Sequence, residues 1–232
     1  MIIEIVPTVL VKDFEEVKSR IKLVEPYVKW IQIDVIDGRY APMRTWNEPG
    51  RLKEISTSAS LEADLMLQNP SDEVLEAWIN SGVKRVFVAW EGVDDVERLW
   101  SIIKKGPSPF DKLRAYSSGE KIEVGISIAP DTPISVLEPF IPQLDAVMIR
   151  TAVPGAPGRP FEPRTLEKIR QFHAAHPGVP IAVDGGVNAQ TIGEIVQAGA
   201  TLIGVGTFIF SHSRGAKVAV EELRLKTLNL KP

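Results

Sequence analysis

PIAVDGGVNAQTIGEIVQAGATLIGVGTFIF, residues 180–210, is the stretch whose reading decides the fold. The apolar run Ile181-Ala182-Val183 stops at Asp184-Gly185-Gly186. Thr191, Ile192, Ile195 and Val196 then recur at helix spacing, and a second apolar run, Leu202 to Gly206, stops at Thr207. The unit reads as strand, helix, strand. Two glycine-rich strand ends in consecutive units, each leading into a helix, set bare backbone N–H groups side by side, an arrangement that suits a phosphate. The plainer reading is that these glycines only make tight strand-to-helix turns; their repetition at the end of a chain of strand–helix units favours phosphate.

The same alternation runs back through the chain. Apolar runs at Ile2 to Thr8, Val28 to Ile36, Leu61 to Leu67, Val83 to Trp90, Ile122 to Ile128 and Ala146 to Arg150 predict six earlier strands. Helical faces are expected at Phe14, Val17, Ile21 and Val24; near Arg51 to Ser56; at Val74, Leu75, Trp78 and Ile79; at Val93, Val96, Leu99, Trp100 and Ile103; at Pro133 to Phe140; at Arg164 to Ala174; and at Gly215 to Leu228. Lys105 to Glu120 shows no periodicity and reads as a surface excursion. Eight strand–helix units within 232 residues predict one domain over 1–232, a closed parallel (β/α)8 barrel; an open sheet would leave a long row of strands with two bare edges.

Composition narrows the function classes. A net charge of -3 without Lys/Arg clusters gives no footprint for nucleic acid or an anionic membrane; no apolar run reaches the length of a membrane span, and the first residues show no basic stretch followed by an apolar one, so no signal peptide is expected. Cysteine is absent, which removes disulfides, thiol nucleophiles and thiolate metal sites and fits a cytoplasmic protein.

Chemistry in such a barrel sits at the C-terminal strand ends. Side-chain alternation puts Gln32 and Asp34 on one face of strand two, and Glu62, Asp64 and Met66 on one face of strand three; Asp184 ends strand seven. Asp34, Asp64 and Asp184 are therefore expected to converge on one mouth. Each has a plainer role: Asp184 capping the next helix, Asp34 paired with a loop arginine such as Arg39, Asp64 a solvated strand end. Clustered carboxylates raise one another's pKa and cost stability, so convergence points to use or to a cation.

VPTVL (6–10), WIQIDVIDGRYAP (30–42), LEADLML (61–67), TAVPGAPGRPFEP (151–163), VDGGV (183–187) and GVGTFIF (204–210) resemble, in order and spacing, the ribulose-phosphate 3-epimerases. The resemblance implies a barrel of the ribulose-phosphate-binding type, a pentose-phosphate isomerase of carbohydrate metabolism that inverts C3 of a ketopentose 5-phosphate through a cis-enediolate. It implies Asp34 and Asp184 as the paired acid/base groups on opposite faces of the sugar, phosphate on backbone at Gly155 to Gly158, Gly185-Gly186 and Gly206-Thr207, and substrate contacts at Thr8 and Met66. A homo-oligomer is expected, with Trp46 and Trp100 as exposed interface residues.

Departures from the family pattern are as informative. Gln32 and Asp64 stand where the resemblance places two metal-ligand histidines; Thr8, Ala89, Ala129 and Arg150 stand where it places serine, histidine, asparagine and methionine. His173, His176 and His212 lie elsewhere, and His212 reads as a solvated loop residue. Gln32, Asp34, Asp64 and Asp184 offer only oxygen, which suits Mg²⁺ or Mn²⁺ rather than Zn²⁺. A site without metal stands equally open. There Arg150 either steadies developing negative charge or forms an ion pair with Asp64 or Asp184 in place of the lost metal charge. Pro157 and Arg159 replace glycine and glutamine in the sixth-strand loop, which predicts a stiffer lid with Arg159 on the phosphate.

Overall fold

The computed structural model describes residues 2–95, 98, 122–228 and 230. Eight strands form a closed barrel in sequence order: β1 (Glu4–Val9), β2 (Trp30–Ile36), β3 (Ser60–Met66), β4 (Arg85–Ala89), β5 (Glu123–Ile128), β6 (Ala146–Arg150), β7 (Ile181–Asp184) and β8 (Leu202–Val205). All pairs are parallel, and β8 closes on β1 with Val6 opposite Gly204. The strand count and order match the sequence reading, with ends shifted by at most two residues.

Helices pack outside the sheet for the reason the spacing predicts. The helix Phe14–Val24 buries Phe14, Val17, Ile21 and Val24, and its first turn is capped by Asp13, whose carboxylate accepts from the Glu16 N–H at 2.9 Å. Helices Asp72–Ile79, Thr165–Ala175, Ile192–Ala198 and Ala216–Thr227 bury equivalent stripes. Two expected helices are 3-10 turns instead, Pro49–Glu54 and Ile134–Gln143. Pro139 and Pro142 inside the latter have no N–H to donate, and each disfavours α-helical backbone at the residue before it. The expected helical face at Val96, Leu99, Trp100 and Ile103 and the excursion at 105–120 fall outside the described residues.

Trp46 corrects an expectation. It is 3% exposed, not a surface residue, with its ring 5.5 Å from Phe14 and 6.0 Å from Trp78. The loop from Arg39 to Gly50 thus plugs the sheet–helix core, and it is tied back where the Trp46 N–H donates to the Val11 carbonyl at 2.8 Å.

The barrel interior is polar at both ends and apolar between. Toward its N-terminal end Arg85 bridges Glu62 at 2.7 Å and Glu123 at 2.6 Å and lies over the Trp30 ring. Phe87, Ala146, Met148, Ala182 and Leu202 form an interior cluster. Space is taken fully: a Cβ on Gly125 would stand 2.5 Å from the Phe87 ring, and one on Gly204 would stand 2.6 Å from the Val183 carbonyl. Above this layer sit the carboxylates.

Candidate functional site

Register brings the acidic residues level. Asp34 of β2 is opposite Asp64 of β3, and Asp184 of β7 is opposite Arg150 of β6. One oxygen from each of Asp34, Asp64 and Asp184 lies within 4.8 Å of the others. The expected convergence is observed, and the plainer roles are not. Arg39 pairs with Asp37 rather than Asp34, the helix after β7 begins beyond Thr191 rather than at Asp184, and Asp64 is 0% exposed.

The three carboxylates differ in partner. Asp34 accepts from the Gln32 Nε2 at 2.7 Å. Its pKa is pushed well up, first by burial and then by the charges of Asp184 and Asp64. Asp184 is raised to about 6, again mainly by burial and then by Asp64, while Arg150 and the Gly185 N–H pull it down. Asp64 has a fixed counter-charge: Arg150 Nη2 donates to both of its oxygens at 2.8 Å, and the Ser127 Oγ donates to Oδ1 at 3.0 Å. Nη2 also meets Ser127 at 2.8 Å, and Nη1 reaches the Tyr40 hydroxyl at 3.3 Å. Tyr40 donates to Glu91 at 3.1 Å, and Glu91 accepts from the Ala129 N–H at 2.7 Å. Burial works against the Arg150 charge, but Asp64, Tyr40 and Glu91 more than offset it and raise its pKa. Of the two sequence readings for Arg150, the ion pair with Asp64 is present.

Above the cluster opens a cavity of about 420 Å³, within the range of small-molecule sites. Thr8, Asp34, Met66, Arg150, Gly155, Gly158, Arg159, Asp184, Gly185, Gly186, Gly206 and Thr207 all line it; Gln32 and Asp64 are buried and are not part of the lining. The sequence-predicted residues therefore share one site, drawn from five strands, the loop after β6 and the turns after β7 and β8. That loop is seated on β7: the Thr151 N–H donates to the Asp184 carbonyl at 2.7 Å, and its hydroxyl donates to the Gly185 carbonyl at 2.6 Å. Gly186, at φ +68°, has to be glycine, since a Cβ there would stand 2.2 Å from the Phe161 nitrogen. Thr45 fixes the end of β2 by donating to the Asp34 carbonyl at 2.7 Å and accepting from the Ile36 N–H at 2.8 Å.

A family profile, described as the ribulose-phosphate 3 epimerase family, matches residues 4–210. The chain belongs to that family. A ribulose-phosphate 3-epimerase of Chlamydia pneumoniae is 32% identical over 197 residues, covering 82% of this chain and 79% of the relative. One of Bacillus subtilis is 29% identical over 230 residues, covering 96% and 98%. Among solved structures, 3-hexulose-6-phosphate synthase from Salmonella typhimurium superposes with a TM-score of 0.67 at 17% identity, covering 97% of this chain and 98% of that one; at that identity the likeness is one of fold.

Within this epimerase-family barrel, four site groups escape a reading from the sequence. Ser127 faces inward on β5 and is signalled by the two-residue period, but its neighbour Ala129 draws attention as the departure from the family pattern. Tyr40 and Glu91 meet only because two loops fold together, and no spacing announces it. Arg20, on the first helix, lines the cavity beside Gly206 and Phe210, with its guanidinium 4.8 Å from the Phe210 ring and Nη2 2.7 Å from Glu16. His212 is another correction: it is largely covered, 3.4 Å from Glu222 and edge-on to the Phe208 ring, rather than a solvated loop residue. His173 and His176 sit at the helix Thr165–Ala175, so no imidazole reaches the mouth.

Proposed function

We propose that this barrel interconverts D-ribulose 5-phosphate and D-xylulose 5-phosphate, or a close analogue, by inversion at C3. The observation that carries the reading is the facing pair Asp34 and Asp184 at the floor of a cavity whose rim is glycine backbone. Inversion needs a base on one face of the sugar and an acid on the other. One carboxylate removes the C3 proton, the C–H electron pair forms the C2=C3 bond and moves charge onto the C2 oxygen, and the other carboxyl returns a proton to the opposite face as the carbonyl re-forms. Burial and mutual repulsion support this division, because they keep a proton on one member of the pair close to neutral pH. Phosphate is assigned to the backbone at Gly155 to Gly158, Gly185-Gly186 and Gly206-Thr207, with Arg159 beside it. Thr8 and Met66 contact the sugar chain.

Proton NMR of D-ribulose 5-phosphate in D₂O with the protein tests this. Deuterium entering C3 with appearance of xylulose 5-phosphate is expected. A second reading, a sugar-phosphate binder without turnover, is favoured by the locked state of Asp64; it predicts thermal stabilisation by the sugar phosphate with no exchange. For the phosphate assignment, Arg159→Gln is expected to weaken sugar-phosphate affinity about tenfold, the loss of one charge-assisted contact. Unchanged affinity removes Arg159 from the site.

A further inference from the structure

The mouth of the barrel contains a cation of its own. We infer that the Arg150 guanidinium holds the position a divalent ion would take, so that this site works without a metal. An ion at the Asp34, Asp64 and Asp184 cluster needs oxygens with free lone pairs facing one point. Asp64 presents both oxygens to a single nitrogen, Arg150 Nη2, at 2.8 Å each, which fills the chelating seat of that carboxylate. Ser127 takes a further lone pair on Oδ1. Gln32, the other neutral oxygen donor in reach, turns its amide nitrogen toward Asp34 and so acts there as a donor, not a ligand. The donor set does not fit a divalent ion while Arg150 is seated.

The seat is also hard to vacate. Arg150 is 2% exposed, and its guanidinium is also held by Ser127 and the Tyr40 hydroxyl, with Glu91 4.0 Å from Nη1. To admit an ion, the guanidinium would have to leave all of these or accept a second cation at close range in a buried setting, where charge repulsion is strong. Arginine suits the part: it stays charged, and its several N–H donors let one guanidinium serve Asp64, Ser127 and Tyr40 at once. In this arrangement it offsets the three carboxylates and provides fixed positive charge beside an oxygen that becomes negative on a bound ligand.

This second role rests on the epimerase reading, but exclusion of the ion does not, so the test reads metal rather than turnover. The full-length protein, treated with EDTA and desalted, is titrated with Mn²⁺ while the free ion is followed by its paramagnetic resonance signal. The unmodified chain is expected to leave the signal undiminished and to show no Mn²⁺-dependent rise in melting temperature. Arg150→Met, which opens the chelating seat and leaves three unpaired carboxylates, is expected to take up the ion and to gain thermal stability from it. Stoichiometric Mn²⁺ uptake by the unmodified chain, abolished in Asp64→Asn, overturns the inference; this arm stands even where Arg150→Met does not fold. An Arg150→Met protein that folds and still leaves the signal unchanged also overturns it. If metal is excluded and no C3 exchange is seen with any pentulose phosphate, the epimerase reading fails and the metal inference stands.

Discussion

Replacing Asp184 by asparagine is expected to make this protein more stable while removing its proposed activity. Asp184 has its pKa raised from 3.8 to about 6 on folding, so its ionised form costs ~3 kcal/mol relative to the unfolded chain. Asp184 is only partly covered at the mouth, and solvent screens part of this, which brings the expected gain for Asp184→Asn to ~1–2 kcal/mol. In a chain of 232 residues that is a rise in melting temperature of ~2–8 °C. The gain has a sign in pH. A carboxyl with a raised folded pKa carries no penalty below its unfolded value and the full penalty above its folded one. The difference between variant and parent is therefore full above about pH 7, shrinks through pH 6 and vanishes below about pH 4. Asparagine keeps an oxygen for the Gly185 N–H, so the comparison isolates charge. The assay is a pair of thermal melts, one at about pH 8 and one at about pH 4, beside C3 exchange in D₂O. Equal or lower stability of Asp184→Asn at about pH 8 would refute the claim that burial, and after it the charge of Asp64, makes the ionised form of Asp184 costly to the fold.

Other outcomes follow from the same geometry. The parent chain itself is expected to melt higher at about pH 5.5 than at about pH 8, because Asp34, Asp184 and Glu62 (raised to about 7 by burial against the pull of Arg85) all bind protons more readily when folded; a flat or rising melting curve over that range contradicts those placements. Gly186→Ala drives a Cβ to 2.2 Å from the Phe161 nitrogen and is expected to weaken sugar-phosphate affinity about tenfold or more, whereas Gly178→Ala, with nothing within 4 Å, leaves it unchanged; calorimetric titration compares the two. Trp46→Ala empties a covered slot between Phe14 and Trp78 and is expected to cost ~3–5 kcal/mol in urea unfolding, since this side chain is core rather than surface.

Much of the fold was legible because a (β/α)8 barrel repeats one local rule. Each strand is a short apolar run buried on both sides, and each helix shows a stripe such as Phe14, Val17, Ile21 and Val24. Errors fell where local spacing and backbone chemistry disagree: Pro139 and Pro142 turn an expected helix into 3-10 geometry. The convergence of Asp34, Asp64 and Asp184 was also legible, since strand parity plus barrel closure fixes which side chains point inward and at what height.

What the sequence by itself determined was therefore the periodic part: strand number, inward parity, the glycine turns that only an unsubstituted backbone can make, and an acidic mouth without imidazole. What only the tertiary structure decided was pairing. Whether Arg150 pairs with Asp64 or Asp184 depends on where a long side chain lies across the barrel, and the decision is made by Ser127, Tyr40 and Glu91, which arrive from three separate segments. Trp46 reads as exposed in its loop and is buried because that loop folds back onto Val11. Spacing along the chain specifies direction and height, whereas contact between side chains far apart in sequence is set by packing, and a charge finds its partner only when the packed wall leaves it one place to go.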